Sequence, residues 1–297
     1  MEIKYGSLLQ IGEFKGEIIM REILLNDILK IPENEIQDYK VKFNVNNGYI
    51  EPLLVMARSY DEISNWIAWK KEKDDLPRSK VIGFVRYYTV SQEQWIFAGS
   101  YEVKKKNNFY EIKEGVGYDL TPIPEYQNLY GRLVVEYKNT TQQLKRNAEN
   151  VLNDIKVVEL LKKPYNGVEF EGYNNINLTF QELEVIIKNN VDDWKRKLEN
   201  VTGIYMLFDR STGKKYIGSA YGENGIWKRW SDYIYSNNGG NKEMLQLDND
   251  YIRDNFTFTL LEWYAIGTDF DFIISRENYW KKVMLSRKID GYGYNDN

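Results

Sequence analysis

The chain of 297 residues contains no cysteine and no histidine. Without cysteine it can form neither a disulfide nor a thiolate metal site, and without histidine it can hold no imidazole-ligated metal. Any bound metal must therefore be coordinated by oxygen atoms, which is typical of Mg²⁺, Mn²⁺ or Ca²⁺.

Long apolar runs are also missing from the sequence. No segment approaches the roughly 18 consecutive apolar residues that a membrane-spanning helix needs. The N-terminus lacks the basic start and the apolar run of a signal peptide. These absences predict a protein that does not associate with membranes and that is located in the cytoplasm.

An excess of positive charge is absent as well, because the formal net charge is −4. This value argues against a protein that coats nucleic acid without selectivity. It remains compatible with a DNA-binding groove in which positive charge is concentrated. Aromatic residues are abundant, with 24 Tyr and 8 Trp. They suit stacking on bases, and they equally suit a hydrophobic core.

The segment GIYMLFDRSTGKKYIG, residues 203–218, predicts the central feature of the fold. Apolar and polar positions alternate with a period near 2 on both sides of a polar turn, as they do in a β-hairpin. The turn contains Asp209, Ser211 and Gly213, which favour a short loop. Antiparallel pairing would place Tyr205 and Tyr216 on adjacent strands, where both phenol groups border one site.

Two helices are predicted after the hairpin. The first carries an apolar stripe at every fourth position, formed by Ile226, Trp230 and Ile234. On a neighbouring face, Arg229 and Tyr233 are four residues apart and therefore project in the same direction. The second helix extends from Ile273 to Arg287 and carries Glu277. The hairpin and these two helices thus predict a small mixed sheet flanked by helices.

These motifs, taken in order, resemble the GIY-YIG nuclease superfamily from about Val201 to Asn297. The matching stretches are Gly203–Tyr205, Tyr216–Ala220, Gly225–Trp230, Gly239–Asn241 and Tyr294–Asn295. Many relatives carry a histidine just before the GGN loop or four residues after the arginine. Here Asn238 and Tyr233 occupy those two positions, and the role of Asn238 is left open.

The resemblance implies a metal-dependent endonuclease that hydrolyses phosphodiester bonds of DNA. Glu277 would bind the metal, Mg²⁺ or Mn²⁺, which polarises the phosphate and assists the leaving group. Arg229 would offer a planar fork to phosphate oxygens, and Asn295 would orient Glu277 or the phosphate.

The group that activates the attacking water is left open by the sequence. Tyr205 and Tyr216 are the first candidates, and either would need nearby positive charge to act as a base. Lys215 is the rival candidate, provided that burial lowers its proton affinity. Double-stranded DNA is the expected partner, and a homodimer is expected if both strands are cut, because one active site cuts one strand at a time.

The whole chain is predicted to have an α+β fold of two domains. Residues 1–195 would form a target-recognition domain that has a curved antiparallel sheet or small barrel and a helical C-terminal part. Residues 196–297 would form the nuclease domain. Capping boxes at Ser59 and Thr179 predict helix starts. Asn139 to Lys163 is predicted to be a polar helix or helix pair.

Aromatic and basic residues of the first domain suggest two ways of contacting DNA. The aromatic side chains could hold a base flipped out of the duplex, or they could form the core; they are Tyr87, Tyr88, Trp95, Phe97 and Tyr101. The basic side chains could contact phosphates, or they could be solvated surface charges; they are Lys104–Lys106, Arg132, Lys138, Lys145 and Arg146.

Two functions from different classes follow from these patterns. The first is a DNA endonuclease of restriction or phage defence, in which the N-terminal domain selects DNA that carries modified or unmodified bases. The second is a catalytically inactive GIY-YIG scaffold that regulates by binding nucleic acid or protein. Residues suited to catalysis at every motif position favour the enzyme, and a metal-dependent nicking assay would separate the two.

Overall fold

The structure is a computed structural model that describes residues 22–48, 50–87, 91–236, 239–240 and 244–296. It contains both helices and sheets, and the predicted α+β class is confirmed. Within the described ranges no helix combines the length and the apolar character needed to cross a bilayer.

The N-terminal module is built on a seven-stranded sheet and a two-stranded ribbon. Its strands are β1 Tyr39–Asn44, β2 Trp69–Lys70, β3 Lys80–Arg86, β4 Gln94–Lys105, β5 Gly115–Val116, β6 Tyr118–Pro122, β7 Leu133–Glu136, β8 Lys145–Asn147 and β9 Lys156–Leu160. Its α-helices are α1 Leu25–Leu29, α2 Pro52–Arg58 and α3 Tyr60–Ile67.

The large sheet has the strand order β8-β1-β3-β4-β7-β9, and β6 pairs with β4. Strands β1 and β3 are parallel, whereas the other pairs are antiparallel. The prediction of an antiparallel sheet or small barrel therefore needs correction. In the part of the chain that the structure describes, the sheet is mixed and open, because the edge strands β8 and β9 do not pair with each other.

Both faces of this sheet are covered, which decides the role of its aromatic residues. One core packs α1 against Phe43 and Phe84, and the other packs α2 and α3 against Val81 and Ile96. Central strands that are buried on both faces consist of nearly continuous apolar runs. They offer no exposed aromatic face to DNA.

The interpretation of Trp95, Phe97 and Tyr101 as a base-binding surface is therefore wrong. All three are at most 1% exposed. The Trp95 indole donates a hydrogen bond to the Tyr137 carbonyl at 3.0 Å, so its polar atom is satisfied inside the core. Tyr87 packs edge-on against Tyr165, and Tyr88 lies outside the described residues.

Most of the basic residues that were candidate phosphate contacts have protein partners. Lys105, Lys138 and Lys145 form ion pairs with Asp74, Glu93 and Asp75, respectively. The Arg132 guanidinium donates to the Leu161 and Asn128 carbonyls, and that of Arg146 donates to Tyr137, Asn139 and Thr141. The two arginines therefore hold local structure, and their role as phosphate contacts stays a prediction.

The predicted helix from Asn139 to Lys163 is wrong. The segment forms β8, a single turn of 3-10 helix at Ala148–Asn150, and β9. Strand β9 pairs with β7, and apolar side chains before it fill the core below the sheet. The helix starts at Ser59 and Thr179 are confirmed, because each hydroxyl accepts a hydrogen bond from the amide three residues later.

The C-terminal module is built on a four-stranded sheet in the order β10-β13-β11-β12. Its strands are β10 Asn177–Thr179, β11 Val201–Asp209, β12 Lys215–Ala220 and β13 Phe256–Ala265. Its helices are α4 Phe180–Lys188, α5 Asp192–Leu198, α6 Gly225–Ser236, α7 Asn249–Asn255 and α8 Phe270–Val283. The predicted hairpin is confirmed: β11 and β12 pair antiparallel, with Tyr205 opposite Gly218.

Strand β10 and helices α4 and α5 pack with the C-terminal sheet. Strand β10 pairs with β13, and Leu183 of α4 and Trp194 of α5 lie in the same core as Phe258. A boundary between residues 195 and 196 would cut through α5. We therefore propose that the nuclease module begins before Asn177, and that a fragment starting at residue 192 lacks part of its own core.

Asp209 organises the turn of the hairpin. It is fully buried, and its carboxylate accepts hydrogen bonds from Thr212, Tyr251 and Tyr294. Burial acts to raise the pKa of Asp209, but these hydrogen bonds outweigh it, so the pKa lies below the usual range. One carboxylate thus joins the hairpin, α7 and the C-terminal segment.

We expect Asp209→Ala to reduce the free energy of unfolding by about 3 kcal/mol at pH 7, because two tyrosine hydroxyls lose a charged acceptor. A group whose pKa is lowered on folding stabilises above its unfolded pKa of about 3.9, and this stability is lost as the pH falls further. The difference from wild type should therefore shrink as the pH falls below about 4. Urea unfolding at several pH values measures it, with exposed Asp119→Asn as the control; a pH-independent difference would contradict the prediction.

Candidate active site

The candidate site lies beside β12, at the edge of the nuclease sheet. Helix α6 packs on one face of the sheet and α8 on the other. A cavity of about 390 Å³ opens at this edge. Its wall includes Tyr216, Ser219, Glu223, Lys228, Arg229, Asp232 and Glu277. The structure thus brings a tyrosine, an arginine and a glutamate of the predicted site together.

Gly218 makes the close approach of the two hairpin strands possible. A Cβ atom at this position would lie 2.4 Å from the Tyr205 hydroxyl and 2.9 Å from the Tyr216 ring. Any larger residue would therefore displace both tyrosines. Packing therefore requires glycine at position 218, since it leaves room for the buried phenol of Tyr205.

Arg229 is held in one orientation by three groups. Its Nε donates to the Tyr205 hydroxyl at 2.7 Å, its Nη1 to the Gly239 carbonyl at 2.9 Å, and its Nη2 to the Tyr233 hydroxyl at 3.3 Å. The guanidinium also lies 5.0 Å from the centre of the Tyr233 ring. Because a guanidinium carries five N–H groups, two remain for a ligand in the cavity.

Tyr205 and Tyr233 form the support beneath this arginine. Both are 0% exposed, and their hydroxyls lie 3.2 Å apart. Burial raises the pKa of each phenol well above its usual value, although Arg229 opposes the shift. Both therefore remain protonated at neutral pH, and neither reaches the solvent in the cavity. The prediction that Arg229 and Tyr233 project in the same direction is confirmed.

Tyr216 and Lys215 differ in where their side chains lie. Tyr216 is half-buried and lines the cavity, and its hydroxyl makes no hydrogen bond to any described residue. Lys215, the next residue along the strand, does not line the cavity. Its Nζ donates to the Gly213 carbonyl at 3.3 Å. Of the three candidate bases, only Tyr216 faces the space in which a substrate would lie.

Glu277 is oriented by two residues that the sequence reasoning missed. The Ser219 hydroxyl donates to its Oε2, and the Lys281 ammonium lies 2.7 Å from its Oε1. Lys281 is only 4% exposed, so the pair is largely withdrawn from water. The spacing of four residues between Glu277 and Lys281 on one helix was the available signal.

The hydrogen bonds of Asn295 go to β12 and to Ser286, and a role toward the phosphate stays a prediction. Its side-chain amide donates to the Ile217 carbonyl at 2.8 Å and accepts from the Ile217 amide at 2.9 Å. Ser286 donates to the same oxygen at 2.7 Å. Asn295 therefore ties the C-terminal segment to β12 and has no contact with Glu277. Asn238 and Asn241 lie outside the described residues.

The donors around the cavity suit a hard divalent cation. Across the described segments, no three Asp or Glu side chains cluster as a metal site. Glu277 accepts a hydrogen bond from Ser219 of β12, and Glu223 and Asp232 line the same cavity. Mg²⁺ commonly binds through one or two carboxylates and keeps several waters. The residues present therefore fit a Mg²⁺ ion held largely by water and substrate phosphate.

Comparisons with known proteins identify the family of the C-terminal module. The family model described as the GIY-YIG catalytic domain matches residues 201–290. A solved structure of the catalytic domain of the homing endonuclease I-TevI is 30% identical to this chain, covering 32% of this chain and 98% of that domain, with a TM-score of 0.26. No curated protein matches the chain significantly. Through its C-terminal module, which contains β11, β12, α6 and α8, the chain belongs to the GIY-YIG nuclease family.

Proposed function

We propose that the protein is an endonuclease that hydrolyses phosphodiester bonds of double-stranded DNA with the help of Mg²⁺ or Mn²⁺. The observation that carries the proposal is the convergence of Arg229, Tyr216 and Glu277 on one cavity at the edge of β12. Nucleases of this family generally use divalent metals. We further propose a cytoplasmic role in restriction or phage defence.

Arg229 binds the scissile phosphate in this mechanism. Its three protein partners fix the guanidinium, and its two remaining N–H groups face the phosphate oxygens. A preorganised cation of this kind stabilises the negative charge that grows in the transition state, without reorganising during the reaction. Tyr205 and Tyr233 serve as its positioning residues.

Tyr216 is the water-activating residue in this mechanism, because it alone of the three candidate bases lines the cavity. It shares that cavity with Arg229. Glu277 would hold the metal, which supplies charge relief to the phosphate and to the leaving oxygen when it is bound. Ser219 and Lys281 keep the Glu277 carboxylate pointed at the same space.

The charge of the nuclease module bears on which of the two modules binds DNA. From Val201 onward the chain has 12 Lys and Arg residues against 13 Asp and Glu residues. Affinity for DNA depends strongly on positive charge, so the nuclease module lacks the charge to bind DNA tightly by itself. We propose that the N-terminal module selects the target, and a homodimer would supply a second active site for the opposite strand.

A plasmid-nicking assay with the full chain tests the proposed activity. We expect cleavage of supercoiled DNA with Mg²⁺ or Mn²⁺, and a loss of at least about 10²-fold in excess EDTA, because only oxygen ligands are available for a metal. Plasmids with plain, methylated, hydroxymethylated and glucosylated bases serve as parallel substrates. Full activity in EDTA would exclude the metal role of Glu277, whereas no cleavage of any substrate would favour an inactive scaffold.

A further inference from the structure

A second cavity lies in the N-terminal module, and it shares no lining residue with the candidate active site. Its volume is about 600 Å³, within the range of about 300–1,000 Å³ typical of small-ligand sites. Its apolar wall consists of Ile50, Val55, Trp66, Trp69 and Val116. Two tryptophans therefore line one cavity that is open to solvent.

Lys42 holds the segment that carries both tryptophans. Its side chain is buried, and its ammonium donates to the carbonyls of Trp66, Ile67 and Trp69 at 3.3, 2.6 and 3.0 Å. These carbonyls lie at and beyond the end of α3, where a helix leaves acceptors unsatisfied. The buried Lys42 side chain thus fixes the backbone segment that carries both indoles, so that the wall of the cavity is formed before a ligand binds.

Trp69 is exposed to an unusual degree for this residue type. Its exposed fraction is 46%, although burying an indole is strongly favourable. The neighbouring Asn65 lines the same cavity, and its amide has no hydrogen-bond partner among the described residues. An aromatic face with a free amide beside it is suited to a flat ligand that has hydrogen-bonding groups at its edge.

The charged side chains at the cavity are paired with one another. Lys71 pairs with Glu114, Lys145 with Asp75, and Arg58 with Glu62 and Glu184. Burial lowers the pKa of Lys42 to about 7, so the cavity has no marked excess of positive charge. Its flat aromatic wall and polar edge together suit a nucleobase.

We propose that this cavity receives a nucleobase extruded from double-stranded DNA and stacks it on Trp66 and Trp69. The inference rests on the proposed function, because cleavage of DNA supplies the source of the base. Extrusion costs unpairing and unstacking, which stacking on aromatic side chains and hydrogen bonds to the base edge offset. A free nucleotide offers the same chemistry from another source.

The position of the cavity connects it to the nuclease module. Arg58 lines the cavity, and its Nη1 donates at 3.2 Å to Glu184 of α4. Glu184 also accepts from Arg253 of α7 at 3.1 Å. A base bound in the cavity would therefore lie next to the ion-pair network that joins the two modules.

Binding of fluorescent duplexes to the full chain in EDTA tests the inference. We expect a duplex with one mismatched cytosine to bind about 10-fold more tightly than the fully paired duplex, because a mismatched base is easier to extrude. Trp69→Ala should weaken binding of the mismatched duplex by about 10-fold or more and remove this preference. The matched control is Trp263→Ala, since Trp263 of the nuclease module is 45% exposed; it should leave the preference unchanged.

Calorimetry with mononucleotides and photocross-linking of a duplex test the same proposal independently. If the ligand is a free nucleotide, dAMP and dCMP should bind in calorimetry, Trp69→Ala should weaken this binding, and the full chain should show no preference for the mismatched duplex. The proposal of an extruded base would then be wrong. A duplex with 5-iodouracil at the mismatch should photocross-link to a peptide containing Trp66 or Trp69, a result that needs no variant. Cross-links confined to other peptides would overturn the proposal even if Trp69→Ala fails to fold.

Failure of this inference can be told apart from failure of the proposed function. If wild type nicks plasmid DNA but Trp69→Ala binds the mismatched duplex as tightly as wild type, the cavity does not receive a base and the nuclease proposal stands. If wild type nicks no DNA but its affinity for the mismatched duplex depends on Trp69, the cavity binds a base and the nuclease proposal is wrong.

Discussion

Replacing Arg229 with alanine is expected to lower the rate of DNA cleavage by about 10³-fold or more. The loss follows from geometry, because this guanidinium is fixed by Tyr205, Tyr233 and Gly239 and directs its remaining donors into the cavity. Single-turnover cleavage of a defined plasmid with saturating Mg²⁺ measures the effect without contributions from product release.

The same substitution should also affect stability. The buried hydroxyls of Tyr205 and Tyr233 would lose a charged donor, which corresponds to about 1–3 kcal/mol in the free energy of unfolding. Arg229→Lys separates the two effects: it keeps the charge but loses the planar fork, so we expect better folding with activity still strongly reduced. Arg276→Ala is the control, since this arginine pairs with Glu262 and stacks on Tyr279 outside the cavity. Activity of Arg229→Ala within tenfold of wild type would contradict the assigned role.

Replacing Glu277 with glutamine is expected to lower cleavage by a comparable factor of about 10³. The amide preserves the shape of the side chain but removes the negative charge that would hold a divalent cation. The affinity for the metal should also fall in this variant. It can be measured as the Mg²⁺ concentration for half-maximal cleavage, or by Mn²⁺ binding in a magnetic resonance titration. The control is Asp271→Asn, an exposed carboxylate in the first turn of the same helix.

A second substitution at Lys281 separates the effect of Glu277 on cleavage from its effect on protein stability. Glu277→Gln removes the ion pair between Glu277 and the buried Lys281 ammonium, and breaking a buried ion pair from one side costs about 3 kcal/mol. The double variant Glu277→Gln/Lys281→Met removes both charges and should recover much of that stability. Cleavage should not recover, because the metal ligand is still missing. Recovery of both would show that Glu277 acts only through folding.

The core of the active site was predictable because its signals are local. A period of two on each side of a polar turn predicts the β11–β12 hairpin, and a spacing of four residues places Arg229 and Tyr233 together on α6. The structure confirms both features. Helix and strand periodicities are properties of neighbouring residues, so they can be read without knowing the rest of the fold.

Which of the hairpin residues reaches the substrate was not predictable in the same way. By sequence, Tyr205 and Tyr216 were the first candidates for the water-activating group and Lys215 was the rival. The tertiary structure separates them, because α6 buries Tyr205 beneath Arg229 whereas Lys215 turns toward the Gly213 carbonyl. Burial depends on what packs against a strand, and that partner is distant along the chain.

By itself, the sequence determined the α+β class, the restriction of any bound metal to oxygen ligands, and the hairpin with its arginine helix. Only the tertiary structure decided that Trp95 and Tyr101 are core residues, that residues 145–147 and 156–160 pair as strands, and that β10 and α4 share a sheet and a core with β13. The physical reason is the same in each case. Strand pairing and the burial of both faces of a sheet join residues far apart in the chain, and local periodicity carries no information about such partners.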